Sequence, residues 1–553
     1  MQADFKMADT MTENDCDVIV VGAGISGLTA AFNIKKRYPE AKVVVLEGKD
    51  RVGGRTLTVP LVSSKGTDYW DLGGQWVGRS QVHVIKLLEE LGLKTYKQFT
   101  KGTKFQQLGE TRVRSYTSEI PDLSLWALLD VHWFLTKLDR FQSELSVEDP
   151  CSHPRAAEWD AMSLGAYIDR TMYSKGGRAA CEAVTRCTLG CETSQISFLY
   201  YILFVHMAGG LKYIIEATDF TAQESKIQGG AQQICQILAG HVGEHAVRLG
   251  DPVTSVQQSQ NKVVVSTAKG WTGSAPFIIL AAPPKALEHI AFSPRLPEDR
   301  VDFMKHMPMG SMTKVIVTYE KAFWRSKNQS GQIVSDGGEV TVPGCSLGPL
   351  SITYDATSHN GCPALVGFLG GEAAVSWATQ TAKIRQKAVL DHFAVFFGPE
   401  VFTFLDYIEK NWNDEPFSWG APVSYVTPGG SANFAKAIRR PEGRIHFAGT
   451  ETATIWSGYM SGAVQAGERS ALEVLHRLKP SVLTEADIST VRLLSAQGGQ
   501  ARILKKGTNR CKVIVKAVFS ISLGLGLVTV SIYLFKRYAG HEGVSFRWVR
   551  NPA

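Results

Sequence analysis

Three glycines at a fixed spacing, followed by a carboxylate, could together bind a phosphate-containing ligand. Gly22, Gly24 and Gly27 come directly after an apolar run at residues 17–21, and Glu47 ends a second apolar run. The first glycine would allow a tight turn, the second a close approach of the backbone to a pyrophosphate, and the third close packing of a helix on a strand. An acid at this distance would accept hydrogen bonds from ribose hydroxyls. The spacing therefore predicts a dinucleotide site.

Two short strands and one helix must position this fingerprint. Residues 17–21 and 42–46 are apolar runs typical of buried strands, and residues 28–37 have a helical pattern between them. The N–H groups of the first helical turn would then point at the phosphates. The dinucleotide-binding residues predicted from this unit are Gly22, Ala23, Gly24, Ile25, Ser26, Gly27 and Glu47.

Further glycines and arginines after the second strand favour a flavin over a nicotinamide dinucleotide. The pairs Gly53–Gly54 and Gly73–Gly74 are suited to loops, and Arg51 and Arg55 flank the first pair. A guanidinium binds phosphate through two parallel hydrogen bonds, so these arginines indicate phosphate contact more strongly than a surface lysine would. Together the two loops predict a long, extended cofactor.

The composition is that of an ordinary globular protein. The 553 residues suggest three or four folding units, and 44% apolar content excludes a disordered chain. Ten basic residues lie between Arg502 and Arg550 against a single acid, Glu542, and they account for the net charge of +7. The rest of the chain lacks the basic stripe typical of nucleic-acid binding, so no nucleic-acid partner is predicted. The nine cysteines include no set with metal-ligand spacing, so no metal is predicted.

The C-terminal region has the pattern of a membrane anchor. Residues 517–535 carry no charge, and as a helix they would span about 28 Å, close to the hydrocarbon core of a bilayer. Basic residues flank both ends of this run. The first sixteen residues have no apolar run of the signal-peptide kind, so the body is expected in the cytosol. The sequence predicts a linker at 479–512, a transmembrane tail anchor at 513–537 that contacts the lipid bilayer, and a short basic tail at 538–553.

The segments GAGISGLTAA, VVVLEGKDRVGGRT and WDLGGQWVG, with residues 228–232, 308–314 and 443–469, resemble the flavin amine oxidases, and monoamine oxidases most closely. The resemblance implies an FAD-dependent enzyme that oxidises small amines to imines, then aldehydes, while O2 becomes H2O2. Three alternatives stay open: a polyamine oxidase, an amino-acid oxidase, and a non-catalytic flavin-binding membrane protein. Animal monoamine oxidases end in a membrane helix, so the resemblance also points to the mitochondrial outer membrane. It allows a homodimer as well.

The same resemblance implies an α/β fold with two discontinuous domains. A Rossmann-like FAD-binding domain would comprise residues 16–90, 227–300 and 405–478. An α+β substrate domain, with helices and a mixed sheet, would comprise residues 91–226 and 301–404. Residues 1–15 would form a flexible N-terminus.

The resemblance assigns catalytic roles to three residues. Lys314 matches the lysine that holds a water against the flavin N5 atom, and Trp412 matches the tryptophan beside that water. Tyr459 matches one wall of an aromatic cage around the amine nitrogen. The second wall is a tyrosine in the family, but Pro422 occupies that position here, which puts arylalkylamine specificity in question. Trp419 and Tyr425 lie near enough in sequence to be considered as substitutes.

The resemblance also assigns the remaining contacts and the mode of attachment. The cysteine that joins the flavin covalently in animal monoamine oxidases is Ala421 here, so FAD is predicted to bind noncovalently. Further cofactor contacts are predicted at Arg51, Gly54, Arg55, Gly73, Gly74, Gln75, Trp76, Val253, Trp412, Gly449, Thr450, Glu451, Gly458, Tyr459 and Met460. The predicted substrate-cavity residues are Gln223, Cys187, Thr188, Ile214, Ile215 and Phe368.

Overall fold

The apolar runs near the N-terminus form the centre of a parallel sheet in the computed structural model, which describes residues 15–108, 112–118, 121–336, 348–431 and 434–496. The strands in chain order are β1 Val18–Val21, β2 Val43–Leu46, β3 Thr58–Ser63, β4 Gly66–Asp71, β5 Trp76–Val77, β6 Thr95–Lys97, β7 Thr103–Gln107, β8 Arg114–Tyr116, β9 Ser225–Ile227, β10 Val247–Arg248, β11 Val253–Gln258, β12 Val263–Thr267, β13 Thr272–Ala275, β14 Phe277–Leu280, β15 Ala291–Ser293, β16 Met312–Tyr319, β17 Gln329–Ser335, β18 Ile352–Asp355, β19 Ala364–Gly370, β20 Phe404–Asn411 and β21 Ile445–Phe447.

The helices connect and cover these strands. In chain order they are α1 Ile25–Arg37, α2 Val82–Glu90, α3 Leu125–Glu144, α4 Ala156–Asp160, α5 Leu164–Thr171, α6 Lys175–Leu189, α7 Phe198–Met207, α8 Leu211–Ile215, α9 Gln233–Val242, α10 Pro284–Leu287, α11 Glu298–Lys305, α12 Phe323–Ser326, α13 Glu372–Ala378, α14 Ala382–Phe397, α15 Phe434–Ile438, α16 Met460–Leu478 and α17 Glu485–Ala496.

The parallel sheet has the order β10-β2-β1-β14-β21 and is buried on both faces. Successive side chains of β1 point to opposite faces, as strand geometry requires. Val18 and Val20 pack in the cluster that includes α1, α9 and α16, while Ile19 and Val21 pack against β11–β13. This double burial explains why β1 and β2 are nearly continuous apolar runs in the sequence.

The turn from β1 into α1 depends on its glycines. Gly22 has φ +105°, a conformation that side chains rarely adopt. A Cβ atom on Gly27 would lie 2.0 Å from the Gly22 carbonyl oxygen, so no larger residue fits there. The chain therefore brings the first turn of α1 directly over the end of the sheet.

Five strands from three distant parts of the sequence make up this sheet. They fall within the predicted FAD-binding segments 16–90, 227–300 and 405–478. A second, seven-stranded mixed sheet has the order β20-β16-β19-β18-β17-β7-β8. This mixed α/β arrangement agrees with the predicted fold class, and the exact domain boundaries stay a prediction.

Strand β16 lies next to the edge strand β20 of the second sheet and is buried at all eight positions. It lies between β19 and β20, with Lys314 opposite Phe368 on one side and Lys410 on the other. Helix α7 is buried at every position except His206 and belongs to an aromatic-rich core with α3, α4 and α5. A lysine in the middle of such a strand must be held by specific polar partners.

The structure differs from the sequence-based prediction in the linker at 479–512. Helix α17 occupies residues 485–496 of that segment, and Asp487 forms an ion pair of 3.0 Å with Arg37 of α1. Thr484 and Asp487 cap the helix reciprocally, through the Thr484 hydroxyl and the Asp487 carboxylate. This capping box is visible in the sequence and predicts a helix start, although the polar composition of the segment favours a linker.

Residues 1–499 form one compact unit, and residues 500–553 lie outside the described residues. Within the described ranges, no helix is both long and apolar enough to cross a membrane. The predicted anchor at 513–537, the basic tail at 538–553 and most of the predicted flexible N-terminus fall outside those ranges.

Candidate active site

One cavity of about 580 Å³ extends from the carboxyl ends of β1 and β2 to the side of β16. It brings together Lys314, Trp412 and Tyr459, which are distant in the sequence. The predicted cofactor residues that line it are Gly22, Gly24, Ile25, Ser26, Glu47, Gly54, Arg55, Gly73, Gly74, Gln75, Trp76, Val253, Thr450, Gly458 and Met460. Those that lie outside the lining are Ala23, Gly27, Arg51, Gly449 and Glu451.

Glu47 lies where the cavity meets the carboxyl ends of β1 and β2, here called the dinucleotide end. Backbone donors fix its carboxylate. Its carboxylate accepts hydrogen bonds of 2.7 Å from the Ala23 N–H and 2.9 Å from the Lys49 N–H. Ala23 thus acts through Glu47 rather than by lining the cavity. Each carboxylate oxygen keeps lone pairs that can accept a ribose hydroxyl.

Of the two arginines predicted to bind phosphate, only one lines the cavity. Arg51 donates to the Gly54 carbonyl at 3.1 Å and forms an ion pair of 2.6 Å with Glu415, so it holds a loop in place. Arg55 lines the cavity and pairs with Glu451 at 2.7 Å while donating to the Pro422 carbonyl at 3.2 Å. The sequence could not separate these roles, because both arginines flank the same glycine pair.

Several unsatisfied groups along the cavity fit an extended dinucleotide. No side chain caps the N-terminus of α1, although that end faces the cavity through Gly24, Ile25 and Ser26. The buried Gln75 Nε2 has no hydrogen-bond partner among the described residues. Because buried polar atoms and helix N-termini normally find partners, these groups fit a bound phosphate-containing cofactor.

Lys314 is buried in the middle of β16 and points into the cavity. Its Nζ donates to Gln75 Oε1 at 2.8 Å and to the Gly73 carbonyl at 3.1 Å. Burial lowers the pKa of Lys314 from 10.5 to about 7, against the opposing attraction of Asp71. The side chain can therefore gain or lose a proton near neutral pH.

Two further buried charges act on Lys314, and the sequence reasoning did not identify them. Burial raises the pKa of Asp71, whose Oδ1 accepts from the Thr58 hydroxyl at 2.6 Å and from the Ala231 N–H at 2.9 Å. Burial also lowers the pKa of Lys226 to about 8. Asp71 favours protonated Lys314, whereas Lys226 opposes it.

Trp412 is buried where β20 ends, beside the base of Lys314. Its indole N–H donates to the Leu72 carbonyl at 3.0 Å, and its backbone N–H donates to the Met312 carbonyl. The ring packs against Met312 and Ala421. Trp412 thus forms part of the cavity wall with its ring held by packing and by one hydrogen bond.

Tyr459 stands at the N-terminus of α16 with aromatic neighbours behind it. Its ring packs edge-on against Trp456 with centroids 5.0 Å apart and lies nearly parallel to Phe204 at 6.2 Å. Burial raises the pKa of Tyr459, so its hydroxyl stays protonated at physiological pH. The tyrosine therefore presents a neutral aromatic surface to the cavity.

Pro422 also lines the cavity, and so does Trp419, one of the two residues considered as its substitute. Trp419 stacks on His289 with centroids 4.7 Å apart. Tyr425 is buried in the aromatic core around α7 and lies outside the lining. Tyr459 is therefore the one tyrosine among the described lining residues.

The predicted substrate residues divide into two groups. Cys187, Thr188, Gln223 and Phe368 line the cavity, whereas Ile214 and Ile215 do not. Gln223 Nε2 donates to the Ile214 carbonyl at 2.8 Å, which leaves its buried Oε1 without a described partner. Burial raises the pKa of the Cys187 thiol to about 12, so this side chain is a neutral thiol.

Sequence reasoning missed residues that close the dinucleotide end. Lys49, His289, Phe417 and Ser418 line the cavity there, and Trp419 lies with them. Lys49 follows Glu47 by two positions, just beyond the end of β2, so its closeness to the fingerprint acid was an available signal. Nothing local in the sequence places residues 417–419 beside residues 47–49.

Comparisons with known proteins bear on the family of this chain. A family model described as flavin containing amine oxidoreductase matches residues 25–475. The chain is 35% identical over 479 residues to "Amine oxidase [flavin-containing] A" of Canis lupus familiaris, covering 86% of this chain and 87% of the relative. It is 35% identical over 473 residues to "Amine oxidase [flavin-containing] B" of Sus scrofa, covering 84% and 86%.

Solved structures show the same similarity in three dimensions. Cyclohexylamine oxidase from Brevibacterium oxydans has a TM-score of 0.77 and 30% identity, over 84% of this chain and all of that one. A putrescine oxidase bound to putrescine has a TM-score of 0.76 and 27% identity, over 84% and 99%. The chain therefore belongs to the family of flavin-containing amine oxidoreductases, enzymes that oxidise amines with a flavin cofactor.

Proposed function

We propose that this amine oxidase acts on small hydrophobic monoamines, producing imines that hydrolyse to aldehydes while dioxygen becomes hydrogen peroxide. The distribution of charge in the cavity carries the proposal. Among the described lining residues, Glu47 is the one carboxylate, and it lies at the dinucleotide end. Trp76, Phe368 and Tyr459 give the other end an aromatic lining.

The residues of the cavity support this chemistry in three ways. Bound FAD supplies an acceptor for the two electrons and the hydrogen that leave the amine's α-carbon, and a donor to dioxygen. Aromatic side chains exclude bulk water and favour the uncharged amine over its ammonium form. Lys314 provides a titratable amine beside the reacting region, where a positive charge stabilises the negative charge that develops on oxygen.

Two other substrate classes fit less well. A polyamine carries a second ammonium, which would be desolvated at the aromatic end without a carboxylate partner among the described lining residues. Because the chain is similar to a putrescine oxidase, the substrate panel described below includes polyamines. An amino acid needs a guanidinium for its carboxylate, and Arg55 is already paired with Glu451.

Hydrogen peroxide release from a substrate panel tests the proposal. Purified protein would be given phenethylamine, putrescine, spermidine and leucine, each at equal concentration. The monoamine should show the highest kcat/KM by at least about tenfold, because each unpaired buried charge costs more than 1.4 kcal/mol. Higher kcat/KM with putrescine or leucine would contradict the proposed substrate class.

We further propose that FAD is bound noncovalently, because Ala421 occupies the position of the flavin-linking cysteine. Ala421 lines the cavity and presents a methyl group that cannot form a thioether. Cys187 is the single described cysteine in the lining. Acid precipitation should leave the flavin in the supernatant. A yellow washed pellet would contradict the proposal, and the same assay on Cys187→Ser would show whether that thiol makes the bond.

We also propose that residues 513–537 anchor the enzyme to the mitochondrial outer membrane, with the body in the cytosol. The uncharged run at 517–535 supports anchoring. In the described residues, α3 exposes Trp126 and Trp133, at 76% and 59%, on a face that also carries Leu125 and Leu129. Tryptophan is enriched at bilayer interfaces, so this face supports membrane association.

Deletion of residues from 512 onward should move the enzyme from the membrane to the soluble fraction with its flavin retained. Deletion from 538 onward keeps the uncharged run and serves as the matched control. A membrane-bound 512 truncation would contradict the anchor, and imaging at the endoplasmic reticulum would contradict only the choice of membrane. A homodimer stays a prediction, which light scattering of the truncated protein would test.

A further inference from the structure

Two aromatic residues near the end of the dinucleotide cavity have a costly backbone conformation. Phe417 has φ +60° and Trp419 has φ +58°, in the left-handed region that bulky residues rarely adopt. Both side chains line the cavity and stay partly exposed, at 36% and 39%. Strain of this kind persists only where the surrounding structure imposes it, and it is concentrated at functional sites.

Contacts with residues 47–49 place this segment at the ribose end of the cavity. A Cβ atom on Gly48 would lie 2.9 Å from Phe417 Cδ2, so the ring rests directly on the Gly48 backbone. Lys49 Nζ donates to the Ser418 hydroxyl oxygen at 2.7 Å. Both partners are adjacent to Glu47, the acid of the dinucleotide fingerprint. The segment therefore covers the adenosine side of the site rather than the side of Lys314.

A third ring joins the pair from another part of the chain. His289 follows α10 and stacks on Trp419 with centroids 4.7 Å apart and planes 30° from parallel. It also lines the cavity. The Phe417 and Trp419 ring centroids are 6.5 Å apart, so Phe417, Trp419 and His289, here called the aromatic cap, are three neighbouring rings at the partly exposed mouth of the dinucleotide end.

A buried ionic cluster holds the aromatic cap in place. Glu415 pairs with Lys49 at 3.0 Å and Arg51 at 2.6 Å, and also with Lys410. Burial alone would raise the pKa of Glu415, but these three cations lower it to about 2. The Trp419 N–H donates to the Glu415 carbonyl at 3.1 Å. The segment is therefore fixed at its start to the same loop that carries the fingerprint acid.

We propose that the aromatic cap binds the adenosine half of FAD and slows its release. This inference rests on the proposed noncovalent attachment, since a thioether would make the cap irrelevant to retention. Aromatic rings stack on nucleobases and shield them from water. Because the cap covers the mouth, the cofactor can leave only after the segment moves. The aromatic cap thus retains FAD in the site, as a covalent bond would otherwise do.

The rate of FAD release from the holoenzyme tests the proposal. Trp419→Asn removes the ring, and Asn tolerates the left-handed conformation. His289→Ala removes the stacking partner of Trp419. Gly48→Ala should displace the Phe417 ring, because the added methyl group would collide with it. Phe402→Ala is the matched control, since Phe402 is 48% exposed and lies outside the cavity lining. Released flavin would be followed by its fluorescence after dilution.

Trp419→Asn should release FAD about fivefold to a hundredfold faster than the wild type, the range expected for one base-stacking contact. His289→Ala and Gly48→Ala should accelerate release in the same direction, while Phe402→Ala should not. Reconstitution should show weaker FAD binding by Trp419→Asn, but unchanged binding of FMN, which lacks adenosine. The bound-flavin absorbance spectrum should be unchanged.

Two results would overturn the inference, and they are distinguishable. If acid releases the flavin but Trp419→Asn and His289→Ala release it at the wild-type rate, the cap fails while noncovalent attachment stands. If flavin stays with the denatured wild-type protein, both fail. Equal weakening of FAD and FMN would also overturn the assignment, because it would place the effect at the flavin ring.

Discussion

The two ends of the cavity are built from different kinds of structure. At the dinucleotide end, backbone N–H groups hold Glu47, and glycines at the end of β1 form the turn. The aromatic end of the cavity, from here on called the amine end, is where side chains from widely separated elements meet. Lys314 of β16 and Tyr459 at the start of α16 are among them. The first end depends on local sequence, whereas the second depends on tertiary packing.

This difference shows where a family pattern tolerates change. At the dinucleotide end a side chain on Gly27 would collide with the Gly22 carbonyl, and the Glu47 carboxylate accepts from two backbone N–H groups, so both positions depend on the main chain. At the amine end the resemblance to monoamine oxidases puts Pro422 at the position of a cage tyrosine, and it matches Lys314, Trp412 and Tyr459 to family residues. The differences from the family that the sequence shows, Ala421 and Pro422, are neighbours in one cavity-lining segment, whereas the fingerprint of residues 22–27 and Glu47 is complete.

The largest expected effect is at the amine end. Lys314→Met should retain FAD but slow its reoxidation by dioxygen about a hundredfold, the usual cost of removing one preorganised charge that stabilises an oxyanion. Stopped-flow mixing of reduced enzyme with oxygen measures it. Lys321→Met, at an exposed position just after β16, is the control. An unchanged reoxidation rate would remove Lys314 from the chemistry.

The protonation state of Lys314 predicts a pH dependence. With a folded pKa of about 7, the side chain is charged below that value and neutral above it. Reoxidation should slow about tenfold between pH 6 and pH 8, as expected for loss of one charged group. Lys314→Met should lose this dependence. A flat wild-type profile would contradict the role of the charge.

Unfolding measurements check the same pKa independently. The unfolded chain keeps Lys314 protonated up to its ordinary value of 10.5, so it binds more protons than the folded state between about pH 7 and that value. The contribution of Lys314 to the free energy of unfolding must therefore rise with pH across this window. The stability gain of Lys314→Met over the wild type should be largest below pH 7 and should shrink towards pH 10.

A smaller effect is expected at the dinucleotide end. Glu47→Gln replaces a carboxylate that faces two N–H donors with an amide that offers one oxygen. FAD should bind about tenfold more weakly, the typical cost of one charge-assisted hydrogen bond. Titration of apoprotein with FAD measures it, with the exposed Glu40→Gln as control. Equal affinity would place the ribose contact elsewhere.

The sequence predicts the locally built parts of the structure better than the parts assembled by tertiary packing. Strands β1 and β2 and helix α1 were predicted within a few residues, because their periodicity and glycines are local signals. The structure shows Arg51 holding Glu415 rather than lining the cavity, and it adds His289 and Trp419 at the mouth. These contacts join residues far apart in the chain, which no local pattern encodes. Helix α17 was missed despite its capping residues.

The smallest expected effect tests why polyamines are disfavoured. Gln223 Oε1 is buried in the cavity wall without a described partner, so the side chain is ready to accept a hydrogen bond from a ligand. Gln223→Glu would place a carboxylate at the amine end and provide a partner for a second ammonium. The ratio of kcat/KM for putrescine to that for phenethylamine should rise about fivefold, because the new carboxylate offsets about 1 kcal/mol of the cost of desolvating the second ammonium. Gln223→Leu has similar size without charge and should not raise this ratio. If Gln223→Leu and Gln223→Glu change the ratio equally, cavity shape rather than the absence of a carboxylate excludes the second ammonium.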